Sequence, residues 1–221
     1  MNYKHKIILL IIIASFLFQI GCISPTKTKY NDIDELTANE KQEIINSLNA
    51  VYESDQHVRA NISSTIEKYG TKSPQVMEIS KKMHSTDSLN IIVVKSLISK
   101  YGWISSKIVG EKANSAIFLA IQHSSDADRE YFLPLMRVAV KNNSASAKDL
   151  ALLEDRVAVS DGRKQIYGTQ IGFDDKTNKY YVLPIDNPKK VDERRAKVGL
   201  SSMASYLSQW KIKLDTTKNT N

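Results

Sequence analysis

Asp55 occupies a position where an apolar residue would be expected. In the segment behind Thr37, Ile44, Leu48, Val51, Val58 and Ile62 recur every three or four positions, and position 55 lies on the same seam. An acid buried there without partners is costly. Arg59, one helical turn on, is placed to neutralise it. The pair reads either as a structural ion pair or as a carboxylate facing an interior pocket. His123 poses the same question. It continues the stripe of Ala113, Ala116 and Ala120, beside Gln122, at the C-terminal end of a helix. Histidine is the side chain best suited to take and return a proton near neutral pH. His123 therefore reads as a general acid or base, as a donor to a ligand, or as a helix cap.

A third polar group closes a helix and opens a strand. Glu154-Asp155-Arg156 precedes Gln165-Ile-Tyr-Gly-Thr-Gln170. Strand alternation would send Gln165, Tyr167 and Thr169 to one face and Gln170 to the other, with Gly168. A glycine within a strand marks a bulge or a close approach. Amides and a phenol on one short strand suit recognition, or a half-exposed polar face. His57 and His84 lack ligand-like neighbours at useful spacing, and the chain has no HExxH, paired CxxC or carboxylate-rich calcium loop. No metal and no cofactor is expected. Neither a glycine nucleophile elbow nor a phosphate loop occurs.

The elements that must hold these residues are mostly helices. Thr37-Ala-Asn-Glu40 matches a capping box, and the periodicity behind it predicts one helix running through Ile62, Ile66 and Tyr69 to a stop at Gly70. Ser73-Pro74 starts a second, through Val76, Ile79, Met83, Val94 and Leu97 to Gly102. A third spans Glu111 to His123, its alanines admitting a neighbouring backbone. Asp126 and Asp128 suit the start of a fourth, in which Pro134, at about 3 kcal/mol inside a helix, predicts a kink or restart. A fifth runs from Ser146 to about Arg156. The period then changes: Gln165 to Phe173 and Tyr180 to Leu183 predict a hairpin around the turn Asp174 to Lys179, and Val157 to Val159 can add a third strand. Asn187-Pro188 opens a further helix ending near Gly199, and Ser202 to Trp210 forms the last. The class is mainly α: a multi-helix domain with a small antiparallel β-hairpin or three-stranded sheet near the C-terminal third.

The first residues read as an export signal. Lys4 and Lys6 precede an apolar run from Ile7 to Phe18, roughly a dozen residues where a spanning helix needs ~20. Gln19-Ile20-Gly21-Cys22 resembles the lipobox at which bacterial lipoproteins are cleaved and acylated, with Gln19 in place of the usual Leu. Cys22 is the only cysteine, so no intramolecular disulfide can form. Residues 1–21 are thus expected to be a lipoprotein signal peptide. Residues 22–36 would be the lipidated cysteine and a flexible tether, 37–210 a single helical domain with its hairpin, and 211–221 a polar tail. Acyl chains buried at about 0.8 kcal/mol per methylene make a multiply acylated cysteine a stable anchor. Removal of Lys4 and Lys6 leaves 29 lysines and arginines against 24 acids, a charge of +5 instead of +7. Without a dense basic block, scattered lysines fit a solvated face near anionic lipid better than nucleic-acid readout.

Several of these segments, in order, resemble the bacterial domain-of-unknown-function family 6624. They are Asp55-Gln-His-Val-Arg59, Tyr101-Gly-Trp103 with Val109-Gly110, Ala120-Ile-Gln-His123 and Leu153-Glu-Asp-Arg-Val157. Gln165-Ile-Tyr-Gly-Thr-Gln170, Val191-Asp-Glu-Arg-Arg195 and Val198-Gly-Leu200 complete the set. Ile104 stands where the family has proline after the tryptophan, and Ser124-Ser125 replaces a small-then-acidic pair after the histidine. The resemblance covers about residues 55–206 and implies a shared fold and a shared site, but no activity.

Three functions fit these residues. A binding module would hold an envelope ligand or a partner protein in a polar cleft lined by Asp55, Arg59, Gln122, His123, Asp155, Arg156, Gln165, Tyr167 and Gln170. An envelope hydrolase would use His123 as general acid or base, oriented by Asp55 or Asp155, with Arg156 or Gln170 facing developing negative charge. A spacer would carry the same charges as buried ion pairs. In each case the domain hangs by lipid from a cell membrane or outer membrane, facing the periplasm or the exterior.

Overall fold

Thr37 opens the first helix as its spacing predicts. Its hydroxyl accepts from the Glu40 amide while the Glu40 carboxylate accepts from the Thr37 amide, so two orphan donors are met reciprocally. The structure is a computed structural model and describes residues 35–174, 176–177, 179–210 and 212. Residues 1–34 of the segments expected to be signal peptide, lipidated cysteine and tether, and most of the expected polar tail, lie outside the described residues.

Helix α1 is Ala38–Arg59, and it buries Ile44, Leu48, Val51 and Asp55. The long helix expected to reach Tyr69 is broken. After α1 the chain passes Ala60 and Asn61 and restarts as α2, Ile62–Tyr69. Asn61 leaves the helical region (φ −109°, ψ 3°), and its carbonyl accepts from Ser64 Oγ and Thr65 Oγ1. Side chains that bond to nearby backbone compete with helix continuation. Helix α2 buries none of its residues, so no core contact opposes the break.

Helix α3, Pro74–Tyr101, is capped by Ser73. Helix α4 is a single turn, Ser106–Val109, and α5 is Glu111–Gln122. Helix α1 packs on both α3 and α5. Ala113, Ala116 and Ala120 are all at most 1% exposed, the close helix approach that their size allows. Ile117 and Ile121 beside them are fully buried, each contributing about 1.5–3 kcal/mol.

Helix α6, Asp126–Lys141, continues through Pro134 as one element, so of the expected kink or restart the restart does not occur. Pro134 is exposed, whereas Phe132, Leu133 and Met136 around it are buried. Packing on the inner face offsets the missing hydrogen bond outside. Helix α7, Ala147–Ser160, packs on α6 and extends past Arg156. The third strand over Val157 to Val159 is therefore not formed, because Val157 and Ala158 are buried as a continuation of the helix.

The sheet is a two-stranded antiparallel hairpin. Strand β1, Ile171–Asp174, pairs with β2, Lys179–Val182, in the register Ile171 opposite Val182. A 3-10 turn, Pro188–Lys190, leads into α8, Val191–Lys197, and the last helix is α9, Met203–Ser208. A second apolar cluster of Ile185, Val191, Met203 and Leu207 forms against the hairpin. The fold is mainly α with a small hairpin.

Candidate functional site

The sequence places Asp55 and His123 on different helices, and the fold brings them into contact. Asp55 points from α1 into the interior with no exposed surface, and its Oδ1 lies 2.7 Å from His123 Nδ1 at the end of α5. Arg59 Nη1 reaches the same Oδ1 at 2.9 Å, and Gln56 Nε2 donates to Oδ2 at 2.9 Å. The other end of the Arg59 guanidinium is bidentate on Asp87 of α3, Nη2 lying 2.7 and 2.8 Å from its two oxygens.

Burial pushes the Asp55 carboxyl up. The His123 hydrogen bond and charge, the Arg59 charge and the Gln56 amide outweigh it and hold the group below the ordinary aspartate value. An ionised carboxylate only accepts hydrogen bonds, so a neutral His123 must carry its proton on Nδ1. Its lone pair then lies on Nε2, which makes no hydrogen bond among the described residues. The imidazole is about one-fifth exposed, at 21%. This is the geometry of a proton-transfer dyad: a buried anion fixes the tautomer and a solvent-facing nitrogen does the exchange.

Asp55, Asp87 and His123 also offer metal-type ligand atoms within 4.8 Å of one another. Arg59 bridges the two carboxylates, so this donor set already holds a cation supplied by the protein.

Asp155 does something else. It is fully buried, and its carboxylate accepts from the amides of Ile166, Tyr167 and Thr169 at 2.6, 2.9 and 2.9 Å and from the Thr169 hydroxyl at 3.0 Å. Residues 165–170 wrap this carboxylate as a loop and not as the expected strand. The Asp155 bonds take the amides that a strand partner would have used, and only an isolated parallel bridge, Gln165 to Ile185, remains. Gln165 is buried and closes the loop, donating to the carbonyls of Gln170 and Leu183 and accepting from the Gln170 amide. The Gln170 side chain donates to Thr169 Oγ1. Gly168 turns inside the loop at φ +70°, where an added Cβ would stand 2.8 Å from both Ile185 Cδ1 and Met203 Sδ. The close approach its position suggested is to the second apolar cluster.

Tyr167 faces Glu154. Burial and then that carboxylate push the phenol up, and Glu154 also accepts from Arg137 Nε at 2.8 Å.

Of the nine candidate residues, Asp55, Arg59 and His123 form one connected group, while Asp155, Gln165 and Gln170 form a loop-holding group. Gln122 is buried with its Oε1 unpartnered among the described residues, and Arg156 has a buried Nε in the same condition. Hollows elsewhere include a groove of about 580 Å³ between α3 and α6, lined by Lys95, Ile98 and Tyr131 among others, and one of about 690 Å³ at the hairpin tip.

Two residues at the dyad were not singled out from the sequence. Asp87 stands between Met83 and Ile91 at four-residue spacing, the same acid-on-a-seam signal that marks Asp55. Arg129 precedes Phe132, Leu133 and Met136 on the buried face of α6. Its Nη1 donates to the carbonyl of Ser124, beside His123, and its Nη2 pairs with Asp126.

The model of a family of unknown function, DUF6624, matches residues 41–213. No curated protein and no solved structure matches the chain.

Proposed function

The chain belongs to the family of unknown function DUF6624, a membership that names no reaction, and we propose a function from the site itself: a lipid-anchored envelope hydrolase with His123 as general acid and base. The observation that carries this reading is the 2.7 Å contact between His123 Nδ1 and the buried Asp55 carboxylate, with Nε2 unpartnered among the described residues. Nε2 takes a proton from water or a hydroxyl as it attacks, and returns it to the leaving group. Asp55 holds the ring and compensates the imidazolium formed between the two steps. Arg59 keeps Asp55 ionised and in place.

The test uses p-nitrophenyl acetate, p-nitrophenyl phosphate and bis(p-nitrophenyl) phosphate as probes. The wild-type chain turns over at least one of them. His123→Gln lowers that rate about 10²- to 10⁴-fold with an unchanged far-ultraviolet circular dichroism spectrum. Equal rates in the two proteins, or no turnover by the wild type, would sink the hydrolase. A ligand-binding module built on the same residues is the second reading, favoured by the Nε of Arg156, which has no partner among the described residues.

Anchoring at Cys22 rests on the short apolar leader and the lipobox-like Gln19-Ile20-Gly21-Cys22. Among the described residues no helix is long and apolar enough to cross a membrane. Acylated Cys22 is then the attachment to the cell membrane or outer membrane, with the domain facing the periplasm or exterior. Intact mass of the native protein should show a chain beginning at Cys22 with added acyl mass. A chain beginning at Met1 contradicts the anchor.

A further inference from the structure

Arg59, Arg129 and Arg156 come from three helices, and the first two are tied to His123 through Asp55 and through the carbonyl of its neighbour Ser124. Arg59 of α1 is paired with Asp55 and Asp87. Arg129 of α6 ties the Ser124 carbonyl, next to His123, to Ser160 Oγ of α7 at 3.5 Å. Ser160 lies one helical turn beyond Arg156, so Arg129 and Arg156 share one end of the α6–α7 pair. Arg156 itself makes no hydrogen bond and no ion pair among the described residues, and its Nε is buried.

The acids nearby are already committed. Asp55 and Asp87 answer Arg59. Asp155, adjacent to Arg156 in sequence, spends its carboxylate on loop donors. Glu154 takes Arg137 and faces Tyr167. Asp126 pairs with Arg129 from an exposed position, 64% accessible, and Arg129 still has a buried Nε–H with no acceptor among the described residues. Burial, then the charges of Arg129 and Arg59, push the Arg156 guanidinium down from its ordinary value. A guanidinium keeps its proton in proteins, so the charge stays and so does the unmet donor.

We propose that Arg156 and Arg129 form an anion subsite beside His123, and that its ligand is the phosphoryl group of a phosphate ester. Two guanidinium groups at one end of the α6–α7 pair, each with a buried Nε–H that has no acceptor among the described residues, call for a ligand with several oxygens and more than one negative charge. A carboxylate carries one charge and two oxygens, whereas a phosphate monoester carries close to two charges and three acceptor oxygens. The subsite rests on the acid–base reading for its meaning as a substrate pocket, since it would set a phosphoryl group against Nε2. Its occupancy, though, is read by binding alone.

The experiment is titration calorimetry of inorganic phosphate and of acetate into the full chain in non-ionic detergent, at fixed ionic strength. The expected result is one phosphate bound per chain, about tenfold or more tighter than acetate. Arg156→Gln should weaken phosphate about tenfold or more, as expected for a lost charged hydrogen bond. Arg156→Lys, which keeps the charge and loses the fork, should fall between and carries the test if the glutamine variant does not fold. His123→Gln should bind phosphate within about threefold of wild type, less than a lost charged hydrogen bond would cost. Phosphate binding together with loss of turnover only in His123→Gln supports both readings. Phosphate binding without any turnover leaves the subsite standing and removes the hydrolase. No phosphate binding, equal affinity for acetate, or full affinity in both Arg156 variants overturns the subsite.

Discussion

Asp55 and Asp155 are both aspartates without exposed surface, and their roles differ by what answers the charge. Asp155 is met by three backbone amides and a hydroxyl, none of which can exchange its proton usefully, so it fixes a loop. Asp55 is met by His123, Arg59 and Gln56, and one of these presents its other nitrogen to solvent. The Asp55 bonds also predict a stability profile. Burial raises this carboxyl, but His123, Arg59 and Gln56 bring it below its ordinary value, so the folded chain prefers it ionised. That contribution is fully present above the unfolded value of about 3.9 and is lost as pH falls through the lower folded value. Urea midpoints of wild type and Asp55→Asn should therefore differ most near neutral pH, with the gap closing on acidification below about pH 4. A gap of constant size across that range would mean that Asp55 is not ionised in the folded chain.

Helices were legible where packing and capping agree. The Thr37 capping box and the Ser73-Pro74 start appear as read because each combines a local hydrogen-bond signal with an apolar face, and the alanine stripe of α5 appears on its apolar face alone, Gly110 offering no side-chain cap. One error is local, the break at Asn61, whose carbonyl takes the Ser64 and Thr65 hydroxyls; the others fall where tertiary bonds override local preference. Pro134 admits a kink or a restart, and the buried face of Phe132, Leu133 and Met136 carries α6 through it without the restart. Gln165 to Gln170 alternates like a strand, yet a carboxylate fourteen positions before Thr169 captures its amides. No local pattern encodes that capture. Half of the dyad environment was legible for a related reason. Asp55 with Arg59 is an intrahelical pair, visible at a spacing of four. The contact of Asp55 with His123 spans sixty-eight positions and exists only once α1 packs on α5. Asp87 was readable in principle, since it too interrupts an apolar seam.

At the scale of the whole chain, two apolar clusters are held in register through the loop that Asp155 anchors. One is the helical body of α1, α3, α5, α6 and α7. The other is Ile185, Val191, Met203 and Leu207 under the hairpin. The link between them is polar. Asp155 reaches from α7 to the loop at 166–169, and Arg195 of α8, 1% exposed, donates to the carbonyls of Tyr167 and Ser201. Tyr206 of α9 donates to the Thr169 carbonyl at 2.7 Å. The loop is thus held from the body by an acid and from the C-terminal cluster by an arginine and a phenol. Asp155→Asn keeps the shape of the side chain but replaces one acceptor oxygen with an N–H that faces other N–H groups. We expect a loss of about 2–4 kcal/mol in urea unfolding. Hydrogen exchange should show where that loss falls. The amides of Ile166, Tyr167 and Thr169 should lose protection first, while those of α1 and α5 keep theirs, since their contacts do not pass through Asp155. Protection lost equally across α1 and the loop would show instead that the two clusters unfold as a single unit, with Asp155 serving the core and not the joint.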